Sequence, residues 1–231
     1  MRNHLPTAST EIRELLVRLT QPPEQVGPPE YRDVMTRLGE QFVRAHEKAL
    51  EGIQHLLLVC TSEDADFLAR GVLNGLADLG GPAVSVACFW NDRESVRGSL
   101  SGRQVDLAPI VRRYVEPGDA DAFLVVKSII SSACVVRTNI TELVYDRDPA
   151  RVLVFAPVVL RGAEQKLRDE FEDDIARRFE FYWFAEDDEK EGENVKPGVG
   201  GQVYERLGLG SRADKNRITP ALVRERRGVT A

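Results

Sequence analysis

Residues 122–136 read AFLVVKSIISSACVV: five apolar residues, a lysine, a serine-rich stretch around two isoleucines, and the apolar start of a further segment. An unbroken apolar run of this length fits a strand buried on both faces, the form strands take in a parallel sheet covered by helices. The small residues after it fit a loop that leads into a helix. A strand, a tight loop and a helix N-terminus in that order place backbone N–H groups and a partial positive charge at the carboxyl end of the strand. Ligands of open α/β sheets bind at such points. The loop therefore offers a seat for a phosphate group, with hydroxyls from Ser131 and Ser132 and amides from Ala133, Cys134 and Val135. The plainer alternative is that the serines only cap a helix.

Outward from this stretch the chain alternates between the two periodicities. Strand-like runs stand at 55–60 (HLLLVC), 83–90 (AVSVACFW), 151–158 (RVLVFAPV) and 179–185 (FEFYWFA). Helix-like runs fall between them at 64–80, 132–146 and 162–178, and YRDVMTRLGEQFVRAHEKALEG at 31–52 fits a long amphipathic helix closed by Gly52. Apolar strands separated by amphipathic helices predict an α/β fold with a three-layer, mostly parallel sheet and helices on both faces. Residues 1–30 hold a short helical run, STEIRELLVRLT, then prolines, and are expected to form a helical arm and linker. Residues 31–210 make the main domain, and the basic residues 211–231 a tail whose charges fit a solvated face. The polar stretch 91–121 is long for a connection and is expected to be a loop or lid.

The balance of 31 basic and 37 acidic residues, net -6, disfavours a general nucleic-acid binder. No apolar run is long enough to cross a bilayer, so no membrane association and a cytoplasmic location are expected. Cys60, Cys88 and Cys134 are widely spaced and predict neither a disulfide framework nor a zinc site. His4, His46 and His55 have no ligand spacing with cysteines or carboxylates, so no resident metal is assigned. There is no G-x-x-x-x-G-K-[ST] phosphate loop, and GVGGQV at 198–203 lacks the third glycine of a dinucleotide fingerprint.

Four stretches together resemble the type I phosphoribosyltransferases, and among them the uracil phosphoribosyltransferases. VVKSIISSACV lies in the frame of the loop that holds the 5′-phosphate of phosphoribosyl pyrophosphate, with Ser132, Ala133 and Cys134 at its Thr-Gly-Gly positions. YRDVMTRLGEQFVRAHEKAL resembles the long N-terminal helix, FWNDRES the start of the flexible catalytic loop, and FEFYWFAEDDEKEGENVKPGVGGQVYERLGLG the strand, acidic stretch and Pro-Gly-x-Gly-Asp base loop. The resemblance implies a small base-binding hood in which Lys196, Gly198, Gly200, Gly201 and Gln202 meet the base, and ribose-adjacent positions at Lys127 and Ser128. It implies a phosphoribosyl or nucleotide ligand, a homodimer, and Mg²⁺ if the protein is catalytic.

The chain departs from that pattern at the charged positions. Lys127 stands where the family has an acidic residue, Gly201 replaces the base-loop aspartate, and Thr61, Ser62 and Asn91 stand near positions of expected arginines. Glu63 and Asp64 would repel a pyrophosphate if they faced the site, while Arg93, Arg97 or Arg103 could compensate. Losing one well-placed electrostatic group costs roughly 10²–10³ in turnover. The expectation is a ribose 5-phosphate-binding protein whose transfer chemistry is lost or altered. The alternatives are an active pyrimidine-base phosphoribosyltransferase and a non-catalytic interaction scaffold. Lys127 either adds positive charge to a phosphate seat that works without metal, or pairs with a nearby carboxylate.

Overall fold

The computed structural model describes residues 1–92, 94–97, 104–192 and 194–228. Its strands in chain order are β1 (Arg2–His4), β2 (His55–Thr61), β3 (Ala83–Asn91), β4 (Glu94–Arg97), β5 (Gln104–Leu107), β6 (Ile110–Val115), β7 (Ala122–Val126), β8 (Ile129–Ile130), β9 (Arg151–Leu160), β10 (Phe179–Asp187), β11 (Glu189–Glu191) and β12 (Asn194–Lys196). Eight of them form one sheet in the order β1-β10-β9-β7-β2-β3-β6, with the short β8 also on β9. The central pairings β10/β9, β9/β7, β7/β2 and β2/β3 are parallel, and only the edge strands β1 and β6 run antiparallel.

Alternate residues of each strand point to opposite faces of a sheet. Leu56, Leu58 and Cys60 of β2 thus join one apolar layer, with Leu124, Phe155 and Trp90, beneath the helices Thr10–Thr20, Pro28–Ala45, Arg70–Asp78 and Ala221–Arg226. Leu57 and Val59 join the other, with Phe123, Val125 and Val154, beneath the helices Cys134–Arg147 and Ala163–Arg168. The three-layer α/β architecture expected from the sequence is present.

The chain order across the sheet creates the feature that matters for function. From β2 the chain moves outward to β3, then returns across β2 to build β7, β9 and β10. The helical segment after β2 therefore covers one face and the helix after β7 covers the other. Their departure in opposite directions opens a crevice between the carboxyl ends of β2 and β7, the topological switch point of the sheet.

Several expectations need correction. The first thirty residues are no detached arm: β1 extends the sheet beside β10, and Ile12, Leu15, Leu16 and Leu19 are buried in the core. The polar stretch 91–121 contains three strands among its described residues: β4 pairs with β5, and β6 lines the sheet edge. Its alternation is masked by arginines, Arg112 and Arg113, on an edge strand that is half in solvent. Arg93 and Arg103 lie outside the described residues, as does the side chain of Arg97. The run 162–178 breaks into Ala163–Arg168 and Asp173–Ala176, and Arg168 folds over the Phe181 ring and donates to the carbonyls of Ala176 and Phe179. The basic residues after 210 fold back onto the sheet, with Leu222 and Val223 buried and Asp66 accepting from the backbone N–H groups of Ala221 and Leu222.

Candidate functional site

The crevice at the switch point is a cleft of about 730 Å³ counted out to its open mouth. Lys127, Ser128, Ser131 and Val135 line one wall, Gly201, Gln202 and Tyr204 the opposite wall, and Glu63, Asn91, Arg212 and Lys215 the remainder. The loop after β7 and the glycine-rich turn therefore do share one opening.

The floor is a buried ion network at the switch point. Asp64, 2% exposed, accepts from Thr61 Oγ1 at 2.7 Å, Lys127 Nζ at 2.5 Å and the backbone N–H of Ser128 at 3.1 Å. It thus staples the end of β2 to the end of β7. Pro157 of β9 lies opposite this point; it has no N–H to offer the ladder, and the β7/β9 pairing lapses until Ile129 meets Val158. The resulting gap lets Lys127 and Ser128 turn toward Asp64. Lys127 also reaches Glu63 Oε1 at 3.4 Å, and Glu63 Oε2 accepts from Lys215 Nζ at 3.2 Å. Of the two readings of Lys127, carboxylate pairing is the one present, although the residue still lines the cleft.

Burial opposes ionisation of Glu63, but the ammonium groups of Lys127 and Lys215 outweigh it and hold its carboxyl well below the usual range. A depressed folded-state pKa contributes stability above the unfolded value of about 4.3, and that contribution is lost as pH falls. Wild-type unfolding free energy should therefore drop more steeply between about pH 5 and pH 3 than that of Glu63→Gln. Urea denaturation across this range checks it, and parallel curves for the two proteins would contradict the network.

The phosphate-seat residues divide. Ser131 is 7% exposed, lines the cleft, and its hydroxyl makes no hydrogen bond to a described residue. Ser132 turns aside, its hydroxyl 3.3 Å from Cys134 Sγ. Ala133 and Cys134 are buried, and Val135 reaches the cleft wall. The helix Cys134–Arg147 begins at Ala133 with no side-chain cap and no acidic residue in its first turn. An uncapped helix start leaves its first N–H groups without intrahelical partners and concentrates positive potential there. The capping alternative for the serines does not occur.

The hood is held chiefly by this chain's own groups. Asp187, fully buried, binds Arg2 Nε and Nη2 at 2.8 and 2.7 Å and accepts from the Gly198 N–H at 2.8 Å. Tyr31 donates to the Val199 carbonyl at 2.8 Å, and Arg206 donates to the carbonyls of Gly200, Gln21 and Val26. A Cβ on Gly198 would stand 2.4 Å from the Val195 carbonyl oxygen, and one on Gly200 would stand 2.1 Å from that of Leu19. Those two glycines admit neighbouring backbone, and neither lines the cleft. Gly201 has φ +120 and open space where its Cβ would point, so it alone of the three borders the cavity. Gln202 lines the wall while its amide donates to Asn194 Oδ1 at 2.8 Å, and Lys196 pairs with exposed Glu191 away from the cleft.

No known family profile matches the chain, and no curated protein sequence matches it. Among solved structures, the AQ2163 protein from Aquifex aeolicus superposes over 89% of this chain and 96% of its own, with TM-score 0.62 and 11% identity. The two share a fold. The hypoxanthine-guanine phosphoribosyl transferase of L. donovani covers 68% of this chain and 77% of its own at TM-score 0.39 and 13% identity. The adenine phosphoribosyltransferase of Thermoanaerobacter pseudethanolicus covers 65% and 83% at TM-score 0.37 and 11% identity.

Tyr204, Arg212 and Lys215 also line the cleft, and no local motif marks them in the sequence. Lys215 is 7% exposed, with its ammonium on Glu63 and on the Asn91 carbonyl at 3.2 Å. Asn91 and Asn139 exchange side-chain amide hydrogen bonds at 2.8 and 3.1 Å, which fixes the end of β3 to the helix after β7. Among the described residues no helix is long and apolar enough to cross a membrane.

Proposed function

We propose that the cleft binds a ligand carrying a ribose 5-phosphate, such as phosphoribosyl pyrophosphate or a nucleoside monophosphate, and that ribosyl transfer is lost or altered. One observation carries this reading: Ser131, whose hydroxyl has no partner among the described residues, and Val135 of the uncapped helix line one cleft at the switch point together with Gly201. A phosphate at Ser131 would find amide donors, a hydroxyl and the helix dipole together. The space toward Gly201, Gln202 and Tyr204 would take the planar part of the ligand. The resemblance in the hood and in the loop at 128–135 supports the same assignment and adds a homodimer as the expected assembly.

The charges argue against ordinary transfer. A ribosyl group parting from pyrophosphate develops positive charge, which a catalyst stabilises with negative charge. Here ammonium groups of Lys127 and Lys215 flank the cleft, and both nearby carboxylates, Glu63 and Asp64, are already engaged by them. Neither carboxylate is free to ligate Mg²⁺, so the residues present do not fit a protein-held magnesium site.

Differential scanning fluorimetry of the full chain with ribose 5-phosphate, nucleoside monophosphates and phosphoribosyl pyrophosphate tests the proposal. A ligand that binds only the native state at 100 times its Kd adds about 2.7 kcal/mol, so a clear rise in Tm is expected. Ser131→Asp should cancel it by setting a carboxylate against the phosphate, and Ser131→Ala, the gentler change, should reduce it. No rise with any of these ligands, or an undiminished rise in Ser131→Asp, would overturn the reading. Pyrophosphate release on adding a base would favour the active-enzyme alternative.

A further inference from the structure

The floor and the hood of the cleft are fixed by buried side chains: Asp64 staples the strand ends, and Asp187, Tyr31 and Arg206 hold the glycine-rich turn. The remaining side, where residues 210–217 cross the cleft, is built differently. Its sequence, GSRADKNR, contains no apolar side chain larger than that of Ala213, and Lys215 is its only buried residue. The chain is anchored at both ends of this segment. Leu209 packs on the core and its N–H donates to the Tyr204 carbonyl at 2.8 Å, while the Ile218 carbonyl accepts from Trp90 Nε1 at 2.8 Å and Arg112 Nη2 at 2.7 Å.

What holds this segment down is polar. Lys215 Nζ donates to Glu63 Oε2 and to the Asn91 carbonyl, both at 3.2 Å, and Arg212 Nε makes a 3.4 Å contact with partly exposed Asp92. Water replaces such contacts when a segment lifts, whereas it does not replace buried apolar surface, so segments of this kind open at low cost. Releasing Lys215 strands no charge, because Glu63 keeps Lys127 at 3.4 Å and the freed ammonium passes into solvent. Two further atoms, Arg212 Nη2 and Asn216 Oδ1, are buried with no hydrogen-bond partner among the described residues, a cost of the closed position that opening to water removes. Gly210, at φ +79, takes up a change of direction at one end without a Cβ penalty.

We propose that residues 210–217 form a gate on the cleft, bolted by Lys215 to Glu63 and Asn91, which opens as a local unit while the floor, the hood and the strand ends stay in place. The bolt joins three parts that bound the opening: the loop after β2, the end of β3 and the chain's last segment. A ligand seated at Ser131 that also touches the closed gate favours closure, since a ligand shifts an equilibrium by its differential affinity for the two states. That service to a ligand rests on the phosphate-binding reading above; the motion itself does not.

Hydrogen exchange of the full chain, read residue by residue by NMR, tests the motion without a ligand. The Lys215 and Arg217 amides bond only within the segment, to the carbonyls of Ser211 and Asp214, and a four-residue helix released from its contacts does not persist. Both amides should therefore exchange much faster than those of Leu222, held by Asp66, and of Val59 in β2. Lys215→Met should speed exchange at Arg217 and at position 215 a further 10- to 100-fold or so, the range of lost charge-assisted hydrogen bonds, and leave Leu222 and Val59 unchanged. Wild-type protection at Arg217 as strong as at Leu222, no acceleration in the variant, or an equal acceleration at all four positions overturns the gate. Saturating ribose 5-phosphate should slow exchange at Lys215 and Arg217 in the wild type. If it raises Tm and leaves those two amides unchanged, the gating role is overturned. If it does neither, the phosphate seat is wrong, and the ligand-free comparison alone decides the local motion.

Discussion

Replacing Lys127 by methionine is expected to lower the unfolding free energy by about 3–5 kcal/mol, the usual cost of stripping one partner from a buried ion pair. An exposed pair would give at most about 1 kcal/mol. The larger figure applies because Asp64 is 2% exposed and Lys127 is 5% exposed. Methionine keeps most of the length of the side chain, so the loss is electrostatic and not a cavity effect. Asp64 would retain Thr61 Oγ1 and the Ser128 N–H, two neutral donors for one buried charge. Asp64→Asn in the same background should recover part of the loss, so the double variant should be less destabilised than the two single changes added together. Equilibrium urea denaturation of the three variants measures this, and a single-variant loss below about 1 kcal/mol would mean the network is solvated.

The parts of this protein legible in the sequence are those set by local pattern. β2, β7 and β9 are buried on both faces, so they read as continuous apolar runs, and the small residues after Val126 mark the loop where the chain turns into a helix. Ser131 and Ser132 are both candidates from that layout. The parts that were not legible depend on partners far apart in the chain. Lys215 and Glu63 are 152 positions apart, and nothing in a basic terminal stretch distinguishes a lysine that will be buried against a carboxylate from one that stays in water. Gly198, Gly200 and Gly201 look equivalent as letters; only the approach of the Val195 and Leu19 carbonyls assigns the first two to packing and the third to the cleft. The resemblance puts Ser132 at the first of the Thr-Gly-Gly positions, yet Ser131 lines the cleft while the Ser132 hydroxyl turns toward Cys134. The edge strand β6 was hidden by its arginines, whose charge suits an edge open to solvent.

The second large effect is expected at the opposite end of the chain. Arg2→Met should also cost about 3–5 kcal/mol, because Asp187 is fully buried and would keep, among the described residues, only the Gly198 N–H as a donor against its charge. Arg2→Lys should recover little of it, since a lysine cannot reproduce the two parallel bonds from Nε and Nη2. The consequence extends to the cleft. Arg2 also donates to the Gly198 carbonyl, so one guanidinium binds both the carboxylate that anchors the hood turn and the turn itself. Without it the wall that carries Gly201 and Gln202 loses its tie to β1 and keeps only the Gly198 N–H bond to Asp187 of β10, so a ligand held between that wall and Ser131 must supply more of the ordering energy itself. The ligand-induced rise in Tm should therefore shrink in Arg2→Met although no substituted atom lines the cavity. Hydrogen exchange at residues 198–202 gives the direct readout: faster exchange there than in β9 is the expected result, and unchanged protection together with a loss below about 1 kcal/mol would show that the hood stands without Arg2.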